Sequence, residues 1–329
     1  MRHRAFRQRA GILLTIVILA WGGIAAAATE PAGDRLDHIL LWGRSIDQAT
    51  AVMTAKLGFQ VMPGRDPAGV ANRYIRLSDT GFIELLGMTR PNPTLDPGMQ
   101  ADQNALHGGP GSRSFGIHST ALDAAQALLK QRGMAVTPVF SAAANDPDGL
   151  GPKAPPRWRL FALDPSPLSN HVFFIDYAAR TDATSAMDLR TAREHPNGAQ
   201  TLSAIWLLSA HAEDDKKQLA QMGFTDAKAV RLPQIAAHGY SVAIGPTHLL
   251  ALEPDGNGLA ADALQQGGPQ ILGVSVGVSD LDRAQRRIER GYEHSLVRYS
   301  GEFGKAFLAP TRDDLGLLIE FHAVNAVAR

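Results

Sequence analysis

Four times along the chain an apolar run at strand spacing is interrupted by polar residues, followed by an amphipathic helix, and closed by glycine and a large apolar residue. The copies read DHILLWGRSIDQATAVMTAKLGF from Asp37, RSFGIHSTALDAAQALLKQRGM from Arg113, LSAIWLLSAHAEDDKKQLAQMGF from Leu202 and ILGVSVGVSDLDRAQRRIERGY from Ile271. Self-similarity on this scale marks one supersecondary unit repeated. In the first copy Ser45 and Gln48 have capping-box spacing, and Ile46, Ala49, Met53 and Leu57 share one helical face. Gly58 then supplies a left-handed stop, and Gly133, Gly223 and Gly291 are expected to stop the other three helices in the same way.

Each copy ends in a further apolar strand: GFIELLGM around Glu84, HVFFIDYA around Asp176, HLLALEP around Leu250 and GLLIEFHA around Glu320. The interval from first to closing strand is nearly constant, except in the second copy, which carries a Pro/Gly/Asp-rich insertion from Asn145 to Pro156. Short extended segments such as Asn72 to Leu77 and Ser241 to Ile244 lie between helix and closing strand, so each module reads βαβββ. The expected class is α+β, with modules one and two in residues 34–178, a polar linker over 179–194, and modules three and four in 195–323.

A length of 329 residues suits two domains, each able to bury its own core. Lys+Arg and Asp+Glu balance at 32 each, but Arg2, Arg4, Arg7 and Arg9 precede an apolar run ending in Ala25 to Ala28. That pattern predicts a signal peptide over 1–28, the alternative being an uncleaved anchor. Cleavage leaves a mildly acidic chain without the basic footprint of a nucleic-acid binder, periplasmic or secreted, and no longer attached to a membrane. The absence of cysteine excludes disulfides, thiolate nucleophiles and Cys-ligated metals, leaving His, carboxylates and hydroxyls to carry any chemistry.

Paired βαβββ modules, Asp37-His38 at the head of the first strand and Glu84 in the first closing strand resemble the vicinal oxygen chelate superfamily. More narrowly, LDHILLWG, ANRYIRLSDTGFIELLGM and FFID resemble its glyoxalase-like domain, closely over residues 35–178 and more loosely over 195–323 through HPNGAQ and the final LLIEF. The resemblance implies four βαβββ modules forming two cupped, open β-barrels with flanking helices. It also implies metal ligands on the first and closing strands of each module. Carried over, those places fall on His38, Ser114, Glu84 and Asp176 in the first half and on Ser203, Leu250, Gly273 and Glu320 in the second.

The first half would thus offer His38, Glu84 and Asp176 to a divalent ion such as Fe, Mn, Zn or Ni, with Glu84 as ligand or catalytic base. Trp42, Asn72, Ser114 and His118 would contact substrate; strand alternation puts His118 on the face of Ser114 and Gly116. The run Gly69 to Asn72 keeps the asparagine of the related Gly-Thr-His-Asn pattern but not its histidine. The second half retains only Glu320, with His248 and His322 on the same inward parity. The expected function is that of an exported protein binding a small molecule in its first cup, with metal-dependent lyase, isomerase or dioxygenase chemistry. The alternative is non-catalytic sequestration of a small molecule. In either case the second half would complete the wall. Monomer and homodimer are both open.

Overall fold

The computed structural model describes residues 34–66, 69–77, 81–93, 95–141, 156–178 and 190–324. The expected signal peptide, nearly all of the Asn145 to Pro156 insertion and most of the 179–194 linker therefore lie outside the described residues. Module one comprises β1 (Arg35–Trp42), α1 (Ile46–Ala51, continued by a π-turn over Val52–Lys56), β2 (Met62–Pro63), β3 (Val70–Arg76) and β4 (Phe82–Met88). A connecting helix, α2 (Pro97–Leu106), leads to module two: β5 (Gly111–His118), α3 (Leu122–Gln131), β6 (Phe140–Ser141), β7 (Trp158–Ala162) and β8 (His171–Tyr177).

Module three is β9 (Ala199–Leu208), α4 (Ala212–Met222), β10 (Ala227–Leu232), β11 (Ala237–Ile244) and β12 (Thr247–Pro254). A second connecting helix, α5 (Leu259–Gly267), precedes module four: β13 (Gln270–Val278), α6 (Leu281–Tyr292), β14 (Arg298–Gly301), β15 (Gly304–Ala309), α7 (Arg312–Leu315) and β16 (Leu318–Ala323). The βαβββ unit is thus written four times, as its sequence pattern predicts. In every copy the closing strand returns parallel to the first, β1 to β4, β5 to β8, β9 to β12 and β13 to β16. The two modules of each half join antiparallel through their first strands, β1 to β5 and β9 to β13. Each half is an open, unclosed cup.

Alternation along the strands divides the apolar residues between two layers. On β1, Leu36, Ile39 and Leu41 enter one large core with Ile46, Ala49 and Met53 of α1, and that same core takes in residues of all four modules. Opposite-parity residues face the cups, and the connecting helices pack there. Trp42, Val70 and Leu86 meet Met99 and Leu106 of α2 in the first cup. Trp206, Leu250 and Leu252 meet Ala260 and Ala263 of α5 in the second.

Helix ends follow the Ser45 cap and three of the four glycine stops read from the sequence, while the Gln48 side chain donates to the Asp314 carbonyl at 3.1 Å instead of closing the capping box. Ser45 Oγ accepts from the Gln48 backbone N–H at 3.1 Å, and Gly58, Gly133 and Gly223 are all left-handed. Gly291, by contrast, sits inside α6, and Glu293 takes the left-handed position instead. The reason is packing: a Cβ on Gly291 would lie 2.2 Å from the Lys56 carbonyl oxygen. Glycine is needed there for contact between the first and fourth modules.

Two arginines complete that contact and its counterpart. Arg287 of α6 reaches the Thr54 carbonyl at the end of module one's helix, and Arg132 after α3 donates to the Met222 carbonyl at the end of α4 at 2.7 Å. Each places a cation on the negative end of a helix in the other half. The HPNGAQ segment forms a third tie. His195 Nε2 donates to the Arg76 carbonyl at 2.7 Å, and its Nδ1 accepts from the Gln60 backbone N–H at 2.9 Å. Fully buried Asn197 donates to the Leu57 carbonyl at 3.0 Å.

Candidate functional site

A β-bulge at the head of β1 creates the most elaborate polar cluster of the first cup. Leu36 pairs with Ile117 and His38 with Gly116, which leaves Asp37 as an extra residue in the ladder. The side chains of adjacent Asp37 and His38 therefore meet, with Asp37 Oδ1 at 2.5 Å from His38 Nδ1. Tyr177 Oη donates to the same carboxylate oxygen at 2.7 Å. Asp37 is wholly buried and His38 nearly so. Burial, reinforced by Asp37, pushes the Tyr177 phenol well up, so it remains a donor.

On the other side of the ring, His38 Nε2 lies 3.6 Å from Glu84 Oε2. That separation is too long for a direct hydrogen bond. The other Glu84 oxygen accepts from Asn72 Nδ2 at 3.0 Å, Asn72 Nδ2 also donates to Tyr74 Oη at 2.6 Å, and Asn72 Oδ1 accepts from the Arg65 backbone N–H. Burial and then Glu84 raise the Tyr74 phenol. The imidazole stacks on Phe82 at 4.2 Å and meets the edge of Phe173. Gly116 makes this possible, since a Cβ there would stand 2.8 Å from the Phe173 ring. The result is a row running Tyr177, Asp37, His38, Glu84, Asn72, Tyr74.

The residues expected around this row divide clearly. His38, Glu84 and Asn72 come together. Asp176 does not join them: it shares the strand parity of core residues Val172 and Phe174, and its carboxylate accepts from the Tyr177 backbone N–H at 2.8 Å. Trp42 is buried under α2 beside Leu86 and Val70, so it is not an open wall. His118 stacks on Tyr177 at 6.0 Å, and burial followed by Arg35 lowers its pKa. Ser114 donates to Asp102 of α2 at 2.7 Å, and His171 Nδ1 lies 2.9 Å from the same oxygen. The connecting helix thus brings in a carboxylate that the repeat gave no reason to seek. His171 is visible in HVFFID, on the cup parity of Phe173 and Tyr177, yet its partner lies outside the repeat.

The donor set does not fit the expected divalent ion. The bulge residues Asp37 and Arg113 correspond, so Ser114 is the module-two counterpart of His38, and Phe173, which pairs with Gly116 as Glu84 pairs with Leu40, takes the place of Glu84. Module one therefore brings two donors, and module two brings a serine committed to Asp102 and a phenylalanine, whereas a held divalent ion needs three or four. Among the described residues no group of three His, Asp or Glu side chains forms a metal site.

The second cup is closed chemically. Glu320 is 1% exposed and accepts from Ser275 Oγ at 2.8 Å and from Tyr299 Oη at 2.6 Å, while Trp206 Nε1 donates to Ser275 at 2.9 Å. Leu250 is buried in the apolar filling, and Gly273 backs onto the Trp206 ring. Ser203 is held by His322 Nε2 at 2.9 Å. His248 and His322 both pack against the Phe303 ring, the first edge-on and the second stacked. Burial raises the Glu320 pKa above the usual carboxylate value, so the stabilisation tied to its protonated form is present at low pH and is lost as pH rises through the raised value. Glu320→Gln, neutral at every pH, should gain stability relative to wild type between about pH 4 and pH 8. Urea unfolding at both ends checks this, and an unchanged difference between the proteins would refute it.

Comparison with known proteins agrees with this geometry at the level of fold. The glyoxalase-like domain profile matches residues 36–223. No curated protein matches the chain significantly in sequence. Among solved structures, a 4-hydroxymandelate synthase variant from Streptomyces coelicolor superposes with a TM-score of 0.61 at 13% identity, covering 89% of this chain and 94% of its own. A catechol 2,3-dioxygenase gives 0.51 at 13% identity, covering 89% and 90%. A hypothetical protein from Staphylococcus aureus gives 0.55 at 12% identity, covering 88% and 99%. All three extend over both halves.

Proposed function

Since the chain belongs to the glyoxalase-like domain family of the vicinal oxygen chelate superfamily, we propose that it binds a small molecule in its first cup and moves a proton on it. The observation that carries this reading is the 3.6 Å gap between His38 Nε2 and Glu84 Oε2, each held from behind by its own partner. Asp37 holds Nδ1 and orients the ring, as an orienting carboxylate does for a catalytic imidazole. With the imidazole carrying both ring protons, a ligand oxygen lying beside the pair would accept from Nε2–H, and Glu84 would take the proton from a neighbouring atom of the ligand. This is general acid–base chemistry of the isomerase or lyase kind, and no step in it runs through a metal. Phe82 and Phe173 supply flat apolar walls for the rest of the molecule.

The test is solvent-deuterium exchange into a panel of 2-oxo acids and α-hydroxy ketones, followed by NMR. Wild-type protein should catalyse exchange into some of them, and Glu84→Gln should slow it by about a hundredfold, the usual scale of a positioned acid or base. Binding without exchange would favour sequestration, the reading supported by the apolar walls alone. Elemental analysis should find no stoichiometric Fe, Mn, Zn or Ni; stoichiometric metal lost on His38→Ala would overturn the metal-free assignment. Export belongs to the same proposal, on the strength of the basic and apolar N-terminal run. Recovery of the chain in the cytoplasmic fraction of its host would sink that part.

A further inference from the structure

A second oriented histidine lies away from the His38 row, at a cavity of about 330 Å³ bounded by Arg113, Ser169, Asn170, His171 and Gly267. The cavity lies where α2, the start of β8 and the end of α5 meet, so both halves of the molecule contribute to it. Asp102 projects from α2 with 0% exposure and holds His171 Nδ1 at 2.9 Å. Ser114 Oγ and, more distantly, Trp42 Nε1 donate to the same carboxylate. A carboxylate buried this completely is tolerable only when its lone pairs are met. With Nδ1–H committed to Asp102, the His171 tautomer is set, and Nε2 carries a lone pair on a side chain that is 42% exposed.

Two further polar groups beside the cavity are incompletely satisfied. A bulge between Leu40 and Leu41 leaves Arg113 as the extra residue of β5, where its Nη2 donates to the Ala105 and Gly267 carbonyls. Arg113 Nε is buried without an acceptor, and Oδ1 of Asn170, a residue 2% exposed, is buried without a donor. Unmet buried donors and acceptors cost free energy and are uncommon in native proteins. What meets the guanidinium and the imidazole together is a compact molecule with an anionic acceptor for the one and a hydroxyl donor for the other. A volume of about 330 Å³ lies at the small end of ligand sites.

We propose that this junction is a binding site for a small hydroxycarboxylate, its carboxylate on Arg113 and its hydroxyl on Nε2 of the Asp102-oriented His171. The site is separate from the His38 row and does not depend on it.

The experiment uses the full chain without its N-terminal apolar run and follows the histidine Cε1–H signals by NMR during titration with glycolate, acetate and glycolamide. Glycolate should shift the His171 signal saturably and leave His38 unmoved. Acetate lacks the hydroxyl and glycolamide lacks the charge, and each should bind at least about tenfold more weakly, the scale of one hydrogen bond involving a charged group. His171→Gln should abolish the glycolate response measured by calorimetry. Ser114→Ala, which leaves the Arg113 carbonyl bonds intact, should weaken it while the chain stays folded. No saturable shift, equal binding of glycolamide, or a shift of His38 in place of His171 would overturn the proposal.

Discussion

Gly291→Ala should destabilise the protein by about 3 kcal/mol, although the same change in an exposed helix would stabilise it by about 1 kcal/mol. The reversal comes from the partner. A new Cβ would meet the carbonyl oxygen of Lys56 at 2.2 Å and its Cα at 2.6 Å, and backbone cannot swing aside as a side chain can. The helices of modules one and four would have to separate, loosening the Arg287 contact with Thr54 and the Lys56 to Asp314 ion pair at 2.8 Å. Thermal or urea unfolding reads the effect directly. A rise in stability would show that the two helices are not pressed together at this point.

The second large effect is expected at His195. Ala at this position would leave a buried N–H of Gln60 and a buried carbonyl of Arg76 without partners, at about 3 kcal/mol for the two. Gln can donate at one end and accept at the other, and should recover much of the loss. Acid should act as a weaker form of the same mutation. Burial depresses the His195 pKa against the opposing bond to the Arg76 carbonyl, and a proton on Nδ1 would also abolish the bond from the Gln60 N–H. A base with a depressed folded pKa gives stability that is present above its unfolded value of about 6.5 and lost as pH falls. His118, His248 and His322 are depressed by burial in the same direction, so they add to the slope. His195→Gln should flatten the dependence of urea midpoint on pH below about 6.5, and an unchanged slope would refute the assignment.

The architecture was legible because it rests on periodicity. Apolar alternation and helix stops recur often enough that four copies identify one another, and the capping role of Ser45 followed from its type and place. The ligand places were harder, since they depend on register. Equating Asp176 with Glu84 assumes that spacing fixes the closing-strand register across the insertion of module two. The matching bulges at Asp37 and Arg113 keep Ser114 in correspondence with His38, but in the closing strand of module two Phe173 stands where Glu84 does. Any odd slip turns a side chain to the opposite face, which is where Asp176 lies relative to Phe173. Asp102 escaped for another reason: it belongs to a connecting helix that the repeat treats as spacer, and only packing reveals that the spacer enters the cup. Gly291 looked like a stop signal because a glycine needed for space and one needed for a left-handed turn are the same letter.

The contacts between α1 and the end of the chain bear on how the protein is made. Gln48 donates to the Asp314 carbonyl, Lys56 pairs with the Asp314 carboxylate, and Arg287 closes the α1 terminus. These partners are separated by most of the polypeptide, and contacts of such long sequence separation form late and slowly. Wherever the chain folds, its first module remains unfinished until its last module is present. A truncated product would therefore keep its earliest helix end open, a place for a chaperone or protease to recognise an incomplete molecule.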